Sequence, residues 1–421
     1  MTVQTRIVVT GMGAVTPFGV GVAPFWEGIV SGRSAVTETQ DELLKQWAPA
    51  TAAAIGFQPE QHLTAKQIQQ TDRFAQMALV AAMEAFKDAG FANAEELTAR
   101  YAPDRIGIAV GNSLGGIQTV EEGATRLAAG KSSKVSARLV PKALPNAAAA
   151  ALAKEYGIHG PVMTYSAACA SSANSIGEAG YWLRLGEADI VLAGGTECLF
   201  SPPIMSSLRS AGALAHEGAD YAAWSRPFDK SRTGMVMGEG AAFVVLETLE
   251  SAKARNAVIY AELAGYGTSN DAYHETSPDP SGQSAKLAMQ KALRSARLEP
   301  QDIDYINAHA TATPAGDRAE SAALLSLFGE HLDRIPVSSI KGAIGHLLGT
   351  AGAIESIACI KALCDGVLPP TINCDDKEEW APADIIPHKG RAQQIKRALS
   401  NSFGFGGQNG VLVWQHAGLA E

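Results

Sequence analysis

Short continuous apolar runs alternate along the chain with longer stretches of helical spacing. Arg105-Ile-Gly-Ile-Ala-Val110, Ala188-Asp-Ile-Val-Leu-Ala193 and Gly240-Ala-Ala-Phe-Val-Val-Leu246 predict strands covered on both faces. Asp72 to Gly90 and Ser172 to Leu185 repeat apolar residues at helical intervals and predict helices. Arg6-Ile-Val-Val-Thr10 predicts a further strand. This alternation implies α/β layers with a largely parallel sheet. No Pro- or Ser-rich linker divides the chain. The weakest seam is the polar stretch Ser251-Ala-Lys-Ala-Arg-Asn256, after which Val258-Ile-Tyr-Ala-Glu-Leu263 predicts a new strand. The expected organisation is two α/β halves, residues 1–256 and 257–421, sharing one core. Thr276 to Gly282 and the acidic Asp375 to Glu379 are expected loops.

Composition narrows the function classes. Of 421 residues 46% are apolar, 18% are charged and 42 are glycine. That excludes a disordered chain, which needs low hydrophobicity and high charge. The low charge content suits closely packed layers with surface hidden in an oligomer. The 34 Lys+Arg against 43 Asp+Glu give a net charge of -9, which disfavours a nucleic-acid binder. No apolar run approaches the ~20 residues of a membrane span, and the N-terminus lacks a signal-peptide pattern. A cytoplasmic protein is expected. Five cysteines, with no CxxC pair, support neither a disulfide framework nor a zinc ribbon. Cys198, Cys359, Cys364 and Cys374 read as buried small hydrophobes.

Five segments carry candidate chemistry. Gly11-Met-Gly-Ala-Val-Thr16 resembles the start of a dinucleotide-binding loop, but Thr16 replaces the third glycine and Pro17 follows. Dinucleotide binding is rejected on that ground. In Pro161-Val-Met-Thr-Tyr-Ser-Ala-Ala-Cys-Ala-Ser-Ser172 a β-prone run leads through small residues into a helix. Cys169 would sit at that helix's N-terminus, where dipole and free N–H groups favour a thiolate and can bind an oxyanion. The alternative is a structural cysteine. Tyr305-Ile-Asn-Ala-His-Ala-Thr-Ala-Thr-Pro-Ala-Gly-Asp317 places His309, Thr311 and Thr313 in a loop after a strand, with Asp317 as the favoured helix cap. Ser338-Ser-Ile-Lys-Gly-Ala-Ile-Gly-His346 runs through glycines into an apolar helix, and Lys341 and Glu355 could pair. Asn401-Ser-Phe-Gly-Phe-Gly-Gly-Gln-Asn-Gly410 combines a flexible backbone with Phe403 and Phe405. It reads either as a gate beside an apolar pocket or as a glycine turn holding two core phenylalanines.

Together these blocks resemble the β-ketoacyl-acyl carrier protein synthases of the KAS II type, in the thiolase superfamily. The resemblance also covers Val8-Val-Thr-Gly-Met-Gly13, Ala193-Gly-Gly-Thr-Glu197, Arg226-Pro-Phe-Asp229 and Pro369-Pro-Thr-Ile-Asn373, and so nearly the whole chain. It implies a thiolase-like fold of two similar α/β halves in a five-layer αβαβα core, usually a homodimer. It implies an acyltransferase of fatty-acid biosynthesis. Cys169 would take an acyl group from acyl carrier protein, and His309 and His346 would stabilise the enolate formed as malonyl-carrier protein loses CO₂. Lys341 would orient the site with Glu355 as its partner. The amides of Cys169 and Phe405 would hold the oxyanion, Thr311 and Thr313 the pantetheine arm, and Leu114, Phe403 and Phe405 would line the acyl pocket. No metal or cofactor is implied beyond the carrier's phosphopantetheine.

Several positions depart from the family pattern. Ala310 stands where glycine is usual, Gln408 where threonine is common, Tyr165 is bulky before the nucleophile, and Ile340-Lys-Gly-Ala-Ile344 differs from the usual run. Gln69, Gln70 and Gly212 replace expected basic residues. That leaves Lys66, Arg126, Lys131, Lys134 and Arg138 as candidate contacts for an acidic carrier protein, in a basic patch expected near the entrance. The departures keep a second pathway open: a ketosynthase of a specialised polyketide or polyene route, paired with a chain-length-factor-like subunit. A non-catalytic chain-length factor is disfavoured by the presence of Cys169, His309 and His346. A degradative thiolase is disfavoured because it would carry a second late cysteine, and an initiating synthase because it would pair Cys-His with Asn.

Overall fold

The computed structural model describes residues 5–216, 218 and 220–420. In the first half, β1 (Ile7–Thr16), β2 (Ile106–Gly111), β3 (Val162–Tyr165), β4 (Ile190–Glu197) and β5 (Gly240–Thr248) pair in the order β1-β5-β4-β2-β3. In the second, β6 (Ala261–Asn270), β7 (Tyr305–Asn307), β8 (Val337–Ser338), β9 (Arg397–Phe403) and β10 (Gln408–His416) pair as β6-β10-β9-β7-β8. Each half therefore places its first, fifth, fourth, second and third strands side by side. The halves join where Val8 and Val9 of β1 meet Glu262 and Ala261 of β6.

The expectation of a largely parallel sheet needs correction, because each half is mixed. β2 is parallel to β3 and β4, as β7 is to β8 and β9, whereas β1, β5, β6 and β10 run antiparallel to their neighbours. The apolar runs are nonetheless covered on both faces. Helices α1 (Arg73–Asp88) and α2 (Ala147–Tyr156) lie outside the first sheet. Between the sheets lie α3 (Ser171–Leu185) and α6 (Ala351–Asp365), each touching strands of both halves. Outside the second sheet lie α4 (Gln283–Ala296) and α5 (Pro314–Phe328). The result is five layers, αβαβα. α6 is buried nearly all round, as a helix sandwiched between two sheets must be.

Glycine patterning explains how closely the outer helices seat. A Cβ at Gly11 or Gly13 would come within 2.3 or 2.1 Å of the carbonyls of Ala85 and Ala81 on α1. At Gly265 and Gly267 it would come within 2.2 and 2.3 Å of those of Ala292 and Ala288 on α4. A register shift precedes each pair, between Val9 and Gly11 and between Leu263 and Gly265. The Gly-x-Gly at residue 11 is thus a packing device inside β1, not a loop opening a helix. It is repeated at the start of the second half.

Three further expectations shift. The strand expected at Val258–Leu263 starts at Ala261 and runs on to Asn270. The helix after His309 begins at Pro314, with Thr313 at its N-cap, so Asp317 lies inside it and is not the cap. Cys364 is exposed at the end of α6, where its thiol donates to the Tyr260 carbonyl at 3.3 Å, while Cys198, Cys359 and Cys374 are buried. Among the described residues no helix is long and apolar enough to cross a membrane.

Candidate active site

Cys169 lies two residues before α3, at the end of the turn that follows β3. Ala168 holds φ 47°, a left-handed conformation costly for a residue with a Cβ. Gly404 packs close behind: a Cβ there would lie 2.7 Å from the Ala167 carbonyl and 3.2 Å from the Cys169 nitrogen. The Phe405 N–H hydrogen-bonds the sulfur. His346 Nε2 lies 3.0 Å from it.

The sulfur and one ring nitrogen each of His309 and His346 lie within 4.8 Å of one another. The two rings meet edge-on at 5.3 Å between centroids, and Phe403 closes on His309 at 5.8 Å. The Leu348 N–H donates to His346 Nδ1 at 3.4 Å. Nε2 therefore carries the hydrogen and points it at the sulfur. A Cys-His-His set has the composition of a zinc site. A metal-ligating histidine, however, presents a lone pair and donates its other N–H to an acceptor. His346 does the reverse, so the set fits a forming oxyanion better than a cation.

Electrostatics corrects the expected resting state. Burial pushes the Cys169 thiol up to about 12, against the pull of the Lys341 charge and the Phe405 N–H. The resting group is a thiol, not the thiolate expected from the helix N-terminus, because the sulfur is buried. Burial, then the Lys341 charge, holds both histidines well below the ordinary imidazole range and neutral. Between about pH 8 and about pH 6 the condensation rate is accordingly expected to show no inflection from either histidine at the ordinary value near 6.5, so that any inflection there reports Glu355, raised to about 7. Initial rates across that range check this. The unfolded chain protonates these two imidazoles there and the folded chain does not, so their contribution to stability falls as pH drops through that value, while Glu355 and Asp317, both raised to about 7 by burial, contribute in the opposite sense.

Lys341 Nζ pairs with Glu355 Oε1, and both side chains are buried. Burial raises Glu355 to about 7 in spite of its partner. Two carboxylates complete the frame: Glu320, which sequence patterning passed over, and Asp317, which it read only as a helix cap. Glu320 accepts the N–H groups of His309 and Ala310 at 2.9 and 2.8 Å and the Asn401 amide at 2.9 Å. Asp317 accepts from Phe228 and Ala312 at 2.8 and 3.1 Å. The signal was their i, i+3 spacing on one helix face, aimed back at the His309 loop.

Two cavities meet at the sulfur, and Cys169, Met235 and Phe405 line both. The first also takes in His309, His346, Thr311, Thr313, Phe403 and Asn409. Thr311 and Thr313 face each other, their hydroxyls 3.0 Å apart. The second, of about 270 Å³, is apolar, with Leu114, Leu199, Ile204, Leu208, Met237 and Leu348 in its wall. Leu114 is 44% exposed and Phe405 37%. Of the departures, Tyr165 meets Trp182 at a tilt and lines neither cavity, and Gln408 lies on the surface. Ala310 is buried, with its carbonyl accepting from Ser339.

Similarity to known proteins follows the same two halves. The N-terminal domain of the beta-ketoacyl synthase family matches residues 4–252, and the C-terminal domain matches residues 260–375. The chain is 39% identical to the 3-oxoacyl-[acyl-carrier-protein] synthase 2 of Coxiella burnetii over 97% of its length and 98% of the relative's. It is also 39% identical to that of Vibrio cholerae, over 98% and 99%. Among solved structures, a beta-ketoacyl synthase from Burkholderia phymatum superposes with a TM-score of 0.89 at 34% identity, covering 98% and 99% of the two chains. A type II PKS ketosynthase, solved with its acyl-carrier protein and bound to the hexaketide, superposes at 0.90 and 32% identity, covering 98% and 100%. The ishigamide ketosynthase/chain length factor superposes at 0.90 and 31%, over 98% and 100%. With both domains matched in order and the likeness running the length of the chain, this protein belongs to the beta-ketoacyl synthase family.

Proposed function

We propose that the chain is a 3-oxoacyl-acyl carrier protein synthase that condenses an acyl group held on Cys169 with malonyl-carrier protein in fatty-acid elongation. The observation that carries this is the sulfur at the junction of two cavities, with two neutral histidines beside it. The thioester arm enters past Thr311 and Thr313, and the acyl chain lies along Leu114 toward the apolar cavity. Cys169 attacks the thioester carbonyl, its thiol proton ends on the departing pantetheine sulfur, and the amides of Cys169 and Phe405 hold the oxyanion. Malonyl-carrier protein then takes the vacated channel. Its carboxylate leaves as CO₂, and the electron pair develops on the thioester oxygen against His309 and His346. The carbanion attacks the acyl carbonyl and expels the Cys169 sulfur. Lys341, fixed by Glu355, polarises the site.

The carrier protein is acidic in this reading and would meet Lys66, Lys131, Lys134 and Arg138, which are exposed. Arg126 is already held by Glu122. A second copy of the chain would cover the edge strand β3, where Met163 is 53% exposed, and close the pocket beside Leu114. Residues 1–256 and 257–421 are our division of the two halves, supported by their shared strand order.

A second pathway is favoured by one observation, the close likeness to type II PKS ketosynthases. There a chain-length-factor-like subunit would replace the second copy. Intact-mass measurement after incubation with a panel of acyl-carrier proteins tests both. Saturated chains should load on Cys169 and extend by one two-carbon unit when malonyl-carrier protein is added. Loading of polyketo or polyene chains alone would select the second pathway. No loading of any chain would defeat both.

A further inference from the structure

Glu197 ends β4 with its carboxylate fully buried. Oε2 accepts the Ser113 N–H at 2.7 Å and the Ser113 hydroxyl at 2.5 Å. The nearby amides of Leu114 and Gly349 favour the ionised carboxylate, while Oε1 is buried without a hydrogen-bond partner. Among the described residues Glu197 takes part in no salt bridge. A buried carboxylate without a cation is costly, and burial raises Glu197 to about 7 in spite of the donors around it. The Ser113 N–H and hydroxyl both donate to it, and the ionised form, which only accepts, fits them, whereas a glutamine can turn an N–H₂ toward them.

The three segments gathered here are three walls of the apolar cavity. Ser113 precedes Leu114, Gly349 follows Leu348, and Leu199 lies two residues beyond Glu197; all three leucines line the cavity beside Cys169. The approach is tight. A Cβ at Gly349 would stand 2.6 Å from Oε2 and 2.8 Å from the Asn112 Cα. Leu348 is held at φ 50°, and its N–H donates to His346 Nδ1. One carboxylate therefore ties the Leu114 wall to the turn that orients His346.

We propose that Glu197 is a positioning residue that sets acyl-chain selectivity by holding Leu114 and Leu348 apart as the walls of the acyl cavity. This rests on the assignment of that cavity to the acyl chain. Without the tether the two walls relax into the cavity, which a long chain must fill to its far end and a short chain only enters.

The test is kcat/KM for acylation of Cys169 by butyryl- and myristoyl-carrier protein, read by intact mass, in wild type, Glu197→Gln and Glu197→Asp. In Glu197→Gln the myristoyl-to-butyryl ratio should fall about tenfold, of the order expected when a hydrogen-bonded group is left mismatched in a buried site. Glu197→Asp, which keeps an acceptor-only group, should recover part of that ratio. An equal loss for both chains, or an unchanged ratio, overturns the proposal. Should Glu197→Gln fail to fold, Ser113→Ala removes only the hydroxyl donor and should lower the ratio by about threefold; an unchanged ratio there overturns it equally. Wild type that loads neither chain refutes the assignment of Cys169 as the acyl carrier, a failure distinct from that of Glu197.

Discussion

A Cys169→Ala variant should take up no acyl group from any acyl-carrier protein and should lose condensation by at least about 10⁴-fold. The expectation follows from the covalent role: no other thiol lines either cavity, and the remaining donors have nothing to hold without the acyl-enzyme. The methyl group of alanine leaves His309, His346 and the Phe405 amide in place. Malonyl-carrier protein should therefore still lose CO₂ at a measurable rate, because the enolate oxygen meets the same N–H donors. Intact mass reads the first result, and release of labelled CO₂ the second. A stable acyl adduct on the variant would sink the assignment of the nucleophile.

The second large effect concerns stability. Lys341→Met should destabilise the fold by about 3–5 kcal/mol, because it strands Glu355 without its cation in a dry core. Both partners are almost wholly buried, at 2% and 1% side-chain exposure. Glu355 already stands near 7 with Lys341 beside it, so in the variant it should be protonated across neutral pH. The loss should then shrink as pH falls, since a neutral acid costs less to bury. The double variant Lys341→Met with Glu355→Leu should recover most of the stability while remaining inactive, because an apolar pair replaces a buried ion pair at little cost. Denaturant midpoints for the three proteins decide the matter. A single variant as stable as wild type would mean that the pair contributes nothing to the fold.

Much of the site was legible in the order of its motifs. Cys169, His309, Lys341, His346 and the glycine loop at 404–410 each follow a strand or open a helix, and local pattern reads such junctions well. The chain also carried an internal echo that went unread. Val9-Thr-Gly-Met-Gly13 and Leu263-Ala-Gly-Tyr-Gly267 open the two halves with the same glycine pair. Its meaning lies in the backbone of α1 and α4, which the strand residues do not encode alone. Glu197 was unreadable as a site residue for a related reason, and Asp317 and Glu320 left only their i, i+3 spacing as a trace. Glu197 accepts from Ser113, 84 residues away, and Asp317 and Glu320 reach Phe228 and Asn401 at similar separations besides the nearby His309 loop, and partners at long sequence separation leave no periodic trace.

By itself the sequence determined the α/β alternation, the two halves and the residue types able to do acyl transfer, because periodicity and strand-end position are local properties. Tertiary structure decided the rest. It made each sheet mixed and exposed Cys364. It set two cavities against one sulfur and kept that sulfur protonated at rest. The last point has the plainest cause: a helix N-terminus favours a thiolate over one turn of chain, but the cost of a charge depends on everything packed around it, and five layers closing on Cys169 remove the water that would have made the thiolate cheap.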